Sequence, residues 1–274
     1  MSKTLYLECY SGISGDMTVA ALLDLGADRE VLKESLKSLP VGGFRTEITR
    51  VKKSGLDACD FSVILEQDNH DHDMEYLHGS EKTYTGHHEH SHEVNHEHHH
   101  GHTHSHEHPH EHRGMKEITE IIQKSEMTAR AKKMAMRVFD ILAQAESKAH
   151  GVPVEEVHFH EVGAVDSIVD IAAIAICMDN LDISNVIVPV LYEGTGFIRC
   201  QHGQIPVPVP AVTHIAETHK LKLKITDIQG ELVTPTGAAV VAAFRTSDRL
   251  PEDFTMLKTG IGAGKRQYRC PGIL

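Results

Sequence analysis

The amino-acid sequence predicts an α/β (or α+β) fold: a mixed sheet with flanking helices, interrupted by a disordered histidine-rich insertion. Two observations support this fold class. Short strand-like runs, loops and helical segments recur in that order along the chain. Residues 67–114 contain almost no aliphatic side chains, too few to offset the entropy lost on ordering. We therefore predict that residues 1–66 begin an α/β domain, 67–114 form the insertion and 115–274 complete the domain.

The first part of the domain contains three kinds of local pattern. Residues 4–9 (TLYLEC) are typical of a short strand, and the loop YSGISGD leads into an apolar helical run that stops at Gly26. A second helix is predicted over roughly residues 28–39. The runs FRTEITRVKK and DACDFSVILE are separated by Ser54 and Gly55, which predicts an antiparallel hairpin.

The second part alternates again between helix and strand. Apolar residues recur on one helical face over residues 128–150, which predicts a packed amphipathic helix. We then predict a helix over 162–181, followed by one buried strand at NVIVPVLY and a glycine-rich turn. The next helix begins at IPVPVPA and ends near His219. A strand near 221–226 follows, and GELVTPTGAAVVAAF is predicted to form a loop and a helix.

Charge and composition narrow the classes of partner. The net charge is −12 and we find no basic patch, so neither nucleic acid nor an anionic membrane surface is an expected partner. The stretch 162–181 carries three aspartates and is too polar to span a bilayer. The N-terminus lacks the pattern of a secretory signal. Five scattered cysteines are typical of free thiols, so we expect a cytoplasmic protein.

A histidine tract, NHEHHHGHTHSHEHPHEH, occupies residues 95–112. Imidazole suits nickel, copper, zinc and cobalt, whereas a run this repetitive cannot hold one geometry. We interpret it as a store that captures or buffers metal, the alternative being a solvated spacer. Its predicted ligands are His96, His98, His99, His100, His102, His104, His106, His108, His110 and His112.

A store implies a fixed site that receives the ion, and the best candidate is HFHEVGAVDSIVD. Two imidazoles (His158, His160) and three carboxylates (Glu161, Asp166, Asp170) within thirteen residues suit a mixed nitrogen and oxygen metal site. Each part has a structural alternative. The aspartates could cap or flank a helix, and a lone histidine more often satisfies a backbone group.

A second candidate is YSGISGDM. Gly12, Ser14 and Gly15 lie between a strand and a helix N-terminus, where backbone N–H groups can bind a phosphate, and Asp16 could bind metal or take a proton. The alternative is a tight turn in which Ser14 or Asp16 caps the helix.

Two loops are weaker candidates for binding a substrate. EGTGFIRCQHG supplies His202 as a possible acid or base, and VTPTGAA supplies Thr234, Thr236 and Gly237. The segment GIGAGKR fails as a phosphate-binding loop, because the first glycine position holds Thr259 and Arg266 follows Lys265.

Five motifs in order, SGISGDM, VHFHEVGAVDSIVDI, HGQIPVPVPA, GELVTPTGAA and GIGAGKR, resemble the nickel insertion proteins that complete the nickel-pincer cofactor of lactate racemase. The resemblance implies a lyase-class cyclometallase. It would place Ni(II) in pyridinium-3,5-bisthiocarboxylic acid mononucleotide, with CTP and Mg(II) or Mn(II), and lactate racemase would be the eventual recipient.

Full-length members of that family continue into a C-terminal domain to which CTP binding belongs. The present chain resembles their N-terminal part, so complete insertion is expected to need that domain in the same polypeptide or as a partner. Forming a nickel–carbon bond requires a base, for which Asp16 and His202 are the candidates. Two other functions fit the residues: nickel or zinc storage without catalysis, and metal-dependent hydrolysis at the HFHE cluster.

Overall fold

A computed structural model describes residues 3–66, 113–157, 159, 164–200 and 203–274. The predicted insertion at 67–114 lies outside the described residues except for its last two. Arg113 forms a β-bridge with Phe159, and Gly114 is the N-cap of a helix, so both belong to the folded domain.

The N-terminal part follows the predicted order. Strand β1 (Lys3–Tyr6) leads through the YSGIS loop to helix α1 (Gly15–Leu25), and helix α2 (Arg29–Lys37) follows. Helix α1 ends at Gly26, whose φ of 110° is the left-handed conformation expected of a C-cap glycine. Asp28 begins α2, and its side chain accepts hydrogen bonds from the N–H groups of Glu30 and Val31.

The predicted hairpin is confirmed. Strands β2 (Phe44–Lys53) and β3 (Leu56–Leu65) pair antiparallel, with Lys53 opposite Leu56. Ser54 and Gly55 form the turn with φ values of 49° and 83°, the positive range that a two-residue hairpin turn requires.

The second part contains five helices and five strands within the described residues. The helices are α3 (Met115–Lys124), α4 (Ala129–His150), α5 (Val165–Asn180), α6 (Pro210–His219) and α7 (Pro235–Phe244), with a 3₁₀ turn at Val154–Glu156. The strands are β4 (Ile183–Ile187), β5 (Leu191–Thr195), β6 (Phe197–Cys200), β7 (Gly203–Pro206) and β8 (Leu223–Gln229).

Parallel and antiparallel strand pairs confirm the mixed α/β class. Within the described ranges β1 pairs with β4 and β5 with β8 in parallel, whereas β2–β3 and β6–β7 are antiparallel. Leu7 N–H donates to Ile187 O (3.0 Å), which extends the β1–β4 pair, and Tyr192 N–H donates to Cys9 O (3.2 Å), which joins this pair to β5. The chain that leaves β1 therefore lies between β4 and β5. The loop that follows lies at the end of both the β1–β4 and the β5–β8 pairs.

Two local predictions were wrong. NVIVPVLY is not one strand, because β4 ends at Ile187 and pairs with β1, whereas β5 begins at Leu191 and pairs with β8. Pro189 lies between them and cannot donate to a strand ladder. The glycine-rich segment after β5 is also more than a turn, since β6 and β7 form a second hairpin in which Phe197 faces Pro206.

Helices α1, α5 and α7 form the centre of the core, where α5 packs against α1, α2, α4 and β3. Helix α5 is buried from Ile168 to Met178 except at Asp170. A carboxylate in such a run costs free energy unless it is paired or used, so its place in the fold is informative. No helix in the described part of the chain is long and apolar enough to cross a membrane.

Candidate functional site

The loop between β1 and α1 is packed tightly against the loop before α7. Ile13 N–H donates to Leu232 O (3.0 Å), and Thr234 N–H donates to Ile13 O (3.1 Å). A methyl group built on Gly12 would lie 2.0 Å from Leu232 O, so only glycine fits there, and its φ of 85° also favours glycine. Two loops singled out separately in the sequence are therefore neighbours.

The residues predicted to bind substrate in the second loop support that contact. Thr234 is the N-cap of α7, and its hydroxyl oxygen accepts the N–H of Gly237 at 3.1 Å. A methyl group on Gly237 would lie 2.2 Å from Ile13 O, and the Thr236 side chain is buried. Thr234 and Gly237 thus position the first loop.

Asp16 lies in the first turn of α1 and is held by its neighbours. The Ser14 hydroxyl donates to Asp16 Oδ1, and the Met17 N–H donates to the same carboxylate. Ser14 occupies the N-cap position but makes no side-chain capping bond, so the serine cap proposed as an alternative is not observed. Burial raises the pKa of Asp16, against the opposing effects of these hydrogen bonds and of Lys265.

Asp170 reaches α1 from helix α5. Its Oδ2 atom lies beside Gly15, and its Oδ1 atom is buried without a hydrogen-bond partner among the described residues. Burial raises the pKa of Asp170 well above its ordinary value, and the charges of Asp16 and Asp166 add to the effect. Asp166 lies one turn earlier, in the first turn of α5, whose N-cap is Ala164. Asp16 and Asp170, from two distant motifs, thus meet at the N-terminus of α1, and Asp166 lies close to Asp170.

Lys265 provides the positive charge beside this carboxylate cluster (Asp16, Asp166 and Asp170). Its ammonium group forms an ion pair with Asp60 and donates to the Ser62 hydroxyl at 2.6 Å, both on β3. Burial raises the pKa values of Asp16 and Asp170, and the Lys265 charge offsets part of that rise. Sequence reasoning missed this residue, because GIGAGKR was tested only as a nucleotide loop.

The glycines before Lys265 have a packing role. Methyl groups at Gly260 and Gly262 would lie 2.3 Å from Ala21 O and 2.1 Å from Met17 O, so the segment lies directly on α1. Cys59 of β3 holds it from the side, donating its N–H to Ile261 O at 2.9 Å. The rejection of a phosphate-binding loop agrees with this arrangement, in which α1 fills the glycine face. Glycine at alternate positions is the signal that could have revealed it.

Glu193 is the second residue that sequence reasoning missed. It is fully buried on β5, and its Oε1 atom accepts N–H groups from Gly194 (2.7 Å), Leu232 (2.8 Å) and Val233 (3.1 Å). Burial raises its pKa to about 7. The carboxyl group ties β5 to the Leu232 loop, which in turn holds Ile13. A single acidic residue in the apolar run VLYEGT was the available signal.

The remaining predicted site residues lie outside the described residues. These are His158, His160, Glu161, His202 and the histidine tract. Among the residues that are described, no group of three or more histidine, cysteine or acidic side chains is arranged to hold a metal ion. A metal site formed by His158, His160 and Glu161 together with the carboxylate cluster stays a prediction.

Comparison with known proteins agrees with the motifs. The family model described as nickel insertion protein matches residues 5–274. A protein of Alkaliphilus metalliredigens named pyridinium-3,5-bisthiocarboxylic acid mononucleotide nickel insertion protein is 51% identical over 100% of this chain and 60% of its own length. A Clostridium acetobutylicum protein of the same name is 43% identical over 99% of this chain and 63% of its own.

A putative nickel insertion protein of Geobacter sp. strain M21 is 38% identical over 99% of this chain and 60% of its own. The chain spans about three fifths of the length of these curated relatives. No solved structure matches it with significance. Because the family model matches nearly the whole chain and the relatives are this similar in sequence, the chain belongs to the nickel insertion protein family.

Proposed function

We propose that this chain binds Ni(II) and delivers or inserts it into pyridinium-3,5-bisthiocarboxylic acid mononucleotide, forming the nickel-pincer cofactor that lactate racemase needs. The relatives' names support the substrate. The structural observation that carries the proposal is the proximity of Asp16 to Asp170, which lies with Asp166 on the helix that directly follows the HFHE segment.

In this proposal nickel is a substrate that passes along the chain. The histidine tract concentrates it, and a site including His158, His160 and Glu161 receives it. Asp166 or Asp170 then acts as a further ligand or orients one, since carboxylates next to metal-bound histidines fix their geometry. The unpartnered Oδ1 of Asp170 supports this role, because among the described residues nothing else satisfies it.

Insertion also requires a base. When the nickel–carbon bond forms, the electron pair of a ring carbon–hydrogen bond becomes the new bond, and the proton leaves to an acceptor. Asp16 and His202 are our candidates. Burial raises the pKa of Asp16, which makes it a stronger base than an ordinary aspartate.

The geometry weighs against placing the substrate phosphate at residues 12–16, as the sequence had suggested. The N–H groups of Gly12 and Ile13 already bond to Cys9 O and Leu232 O. Asp16 lies in the first turn of the helix, and in the charged form that a base requires it would repel a phosphate there. We therefore assign the Asp16 end of the loop to proton transfer.

The CTP and Mg(II) or Mn(II) implied by the resemblance do not fit the described residues. The most nucleotide-like segment, GIGAGKR, has its glycine face filled by α1, and Lys265 is engaged with Asp60. We therefore assign no step to CTP in this chain. Its use would belong to the further length of the relatives, in the same polypeptide or as a partner.

Lactate racemase activation in a reconstituted mixture of precursor, nickel and CTP tests the proposal. The chain and a longer version resembling the relatives would each be assayed with and without residues 70–112. We expect the longer, tract-deleted protein to activate the racemase at high nickel concentration. Storage becomes the better function if no version activates it while the intact chain takes up nickel.

A double variant separates the fixed site from the tract. His160→Ala with Glu161→Ala should abolish cofactor maturation and leave bulk nickel uptake intact. Glu155→Ala with Glu156→Ala is the matched control, since both residues are exposed on the neighbouring 3₁₀ turn. Normal maturation by the His160 and Glu161 variant would remove this site from consideration.

A further inference from the structure

Two tyrosines and a lysine lie together at the start of the loop that carries Asp16. The rings of Tyr10 and Tyr192 are edge to face, with centroids 4.9 Å apart and planes at 73°. Lys224 places its ammonium group 4.7 Å from the centroid of the Tyr192 ring and 3.2 Å from its hydroxyl oxygen. We call this group the Tyr10 cluster.

The backbone positions the cluster on three elements. Tyr192 on β5 and Lys224 on β8 are register partners in a parallel pair. Tyr192 N–H donates to Cys9 O (3.2 Å), which fixes the residue before Tyr10 against β5. Tyr10 also lies beside Tyr6: burial raises the pKa of Tyr6 to about 12, and Tyr10 adds to this effect. The Tyr10 ring is therefore held by its neighbours.

Tyr10 remains open to solvent although it is held. Its exposed fraction is 52%, whereas the next three residues, Ser11, Gly12 and Ile13, are buried. An aromatic ring fixed in place with a free face is pre-organised to stack on a planar group, because little side-chain entropy is lost on binding. The negative face of a tyrosine ring also attracts a cation.

We propose that the free face of Tyr10 binds the pyridinium ring of the mononucleotide and that Lys224 attracts its phosphate. This inference rests on the proposed function and deepens it. A pyridinium mononucleotide combines a planar cationic ring with a phosphate, and the cluster offers an aromatic face beside an ammonium group. The ammonium group of Lys224 covers the Tyr192 ring, so the Tyr10 ring is the one left to contact the pyridinium ring. The ring would then lie on the loop that ends in Asp16.

Calorimetric titration of the 274-residue chain tests this site with two probes, nicotinic acid mononucleotide and ribose 5-phosphate. Tyr10→Leu should weaken binding of the first probe roughly threefold to thirtyfold, the range of a cation–π contact, and leave the second unchanged. Tyr10→Phe should bind both probes as the parent does. Lys224→Met should weaken both probes by the same factor.

Phe254→Leu is the matched control. Phe254 is 50% exposed and precedes the segment that packs near the C-terminal end of α1, opposite the loop. If Tyr10→Leu binds the first probe as tightly as the parent chain does, the Tyr10 site alone is overturned. Equal losses of binding in Tyr10→Phe and Tyr10→Leu would overturn it in the same way. A parent chain that binds no pyridinium mononucleotide would overturn the proposed function together with this inference.

Discussion

The Oδ2 atom of Asp170 lies where a side chain on Gly15 would stand. A methyl group built on Gly15 would be 2.5 Å from that oxygen and 3.0 Å from the Asp170 Cβ atom. The absence of a side chain at position 15 therefore lets helix α5 bring a carboxylate to the first turn of α1. This contact joins the two motifs that the proposed function uses.

Gly15→Ala should separate function from stability. The methyl group displaces the Asp170 carboxylate, so we expect nickel insertion to fall at least about tenfold, since small misplacements at a reacting centre are costly. The free energy of unfolding should change by only about 1 kcal/mol, because alanine favours the helix while the contact opposes it. Gly42→Ala is the control, since nothing lies within 4 Å of its added methyl group. Equal activities of the two variants would contradict the role of this contact.

The ion pair between Lys265 and Asp60 should be measurable in a double-mutant cycle. Their side chains are 37% and 15% exposed, so solvent screens the pair only in part. We expect Lys265→Met and Asp60→Asn each to destabilise the protein, with a coupling energy of about 1 kcal/mol from denaturant unfolding. A coupling of zero would show that the pair does not hold the C-terminal segment on β3.

Glu193 should make stability depend on pH. Its pKa rises from the ordinary 4.5 to about 7 in the folded protein, which therefore binds the proton more tightly than the unfolded chain. Stability from this group is complete below pH 4.5 and is lost as the pH rises through about 7. The loss should be about 3 kcal/mol, at 1.36 kcal/mol for each unit of pKa.

Glu193→Gln isolates that contribution. The amide oxygen can still accept the three N–H groups, but the side chain no longer titrates. Comparison of unfolding free energies from pH 4 to 8 should show a flatter profile for Glu193→Gln than for the parent chain. Glu252→Gln, at an exposed position, should keep the parent profile. Parallel profiles for the parent and Glu193→Gln would contradict the prediction.

The segment GIGAGKR should tolerate no side chain at the glycines that face α1. A methyl group at Gly262 would lie 2.1 Å from Met17 O and 2.5 Å from Ala21 N, both backbone atoms that cannot rotate away. We expect Gly262→Ala to cost about 3 kcal/mol in thermal or denaturant unfolding, at the upper end of overpacking effects. A loss no larger than that of Gly42→Ala would mean that the segment does not lie on α1 in solution.

Local patterns were enough to determine much of the fold. The turn at Ser54 and Gly55, the cap at Asp28 and the apolar face of α4 act over a few residues, so the sequence alone predicts the elements they control. The metal chemistry suggested by the histidine tract depends on composition and stays a prediction. The break at Pro189 was missed because pairing of β4 and β5 with different partners is a long-range property.

Only the tertiary structure decided how the site is assembled. The sequence indicated Asp16 and Asp170 as separate candidates and contained no information on their distance, because side-chain contacts across more than a hundred residues depend on how α1 and α5 pack. Lys265 lies in a motif that gave no indication of its partner, and Glu193 lies outside the motifs. Their roles arise from burial and from the partners that the fold brings to them, Asp60 in one case and the Leu232 loop in the other.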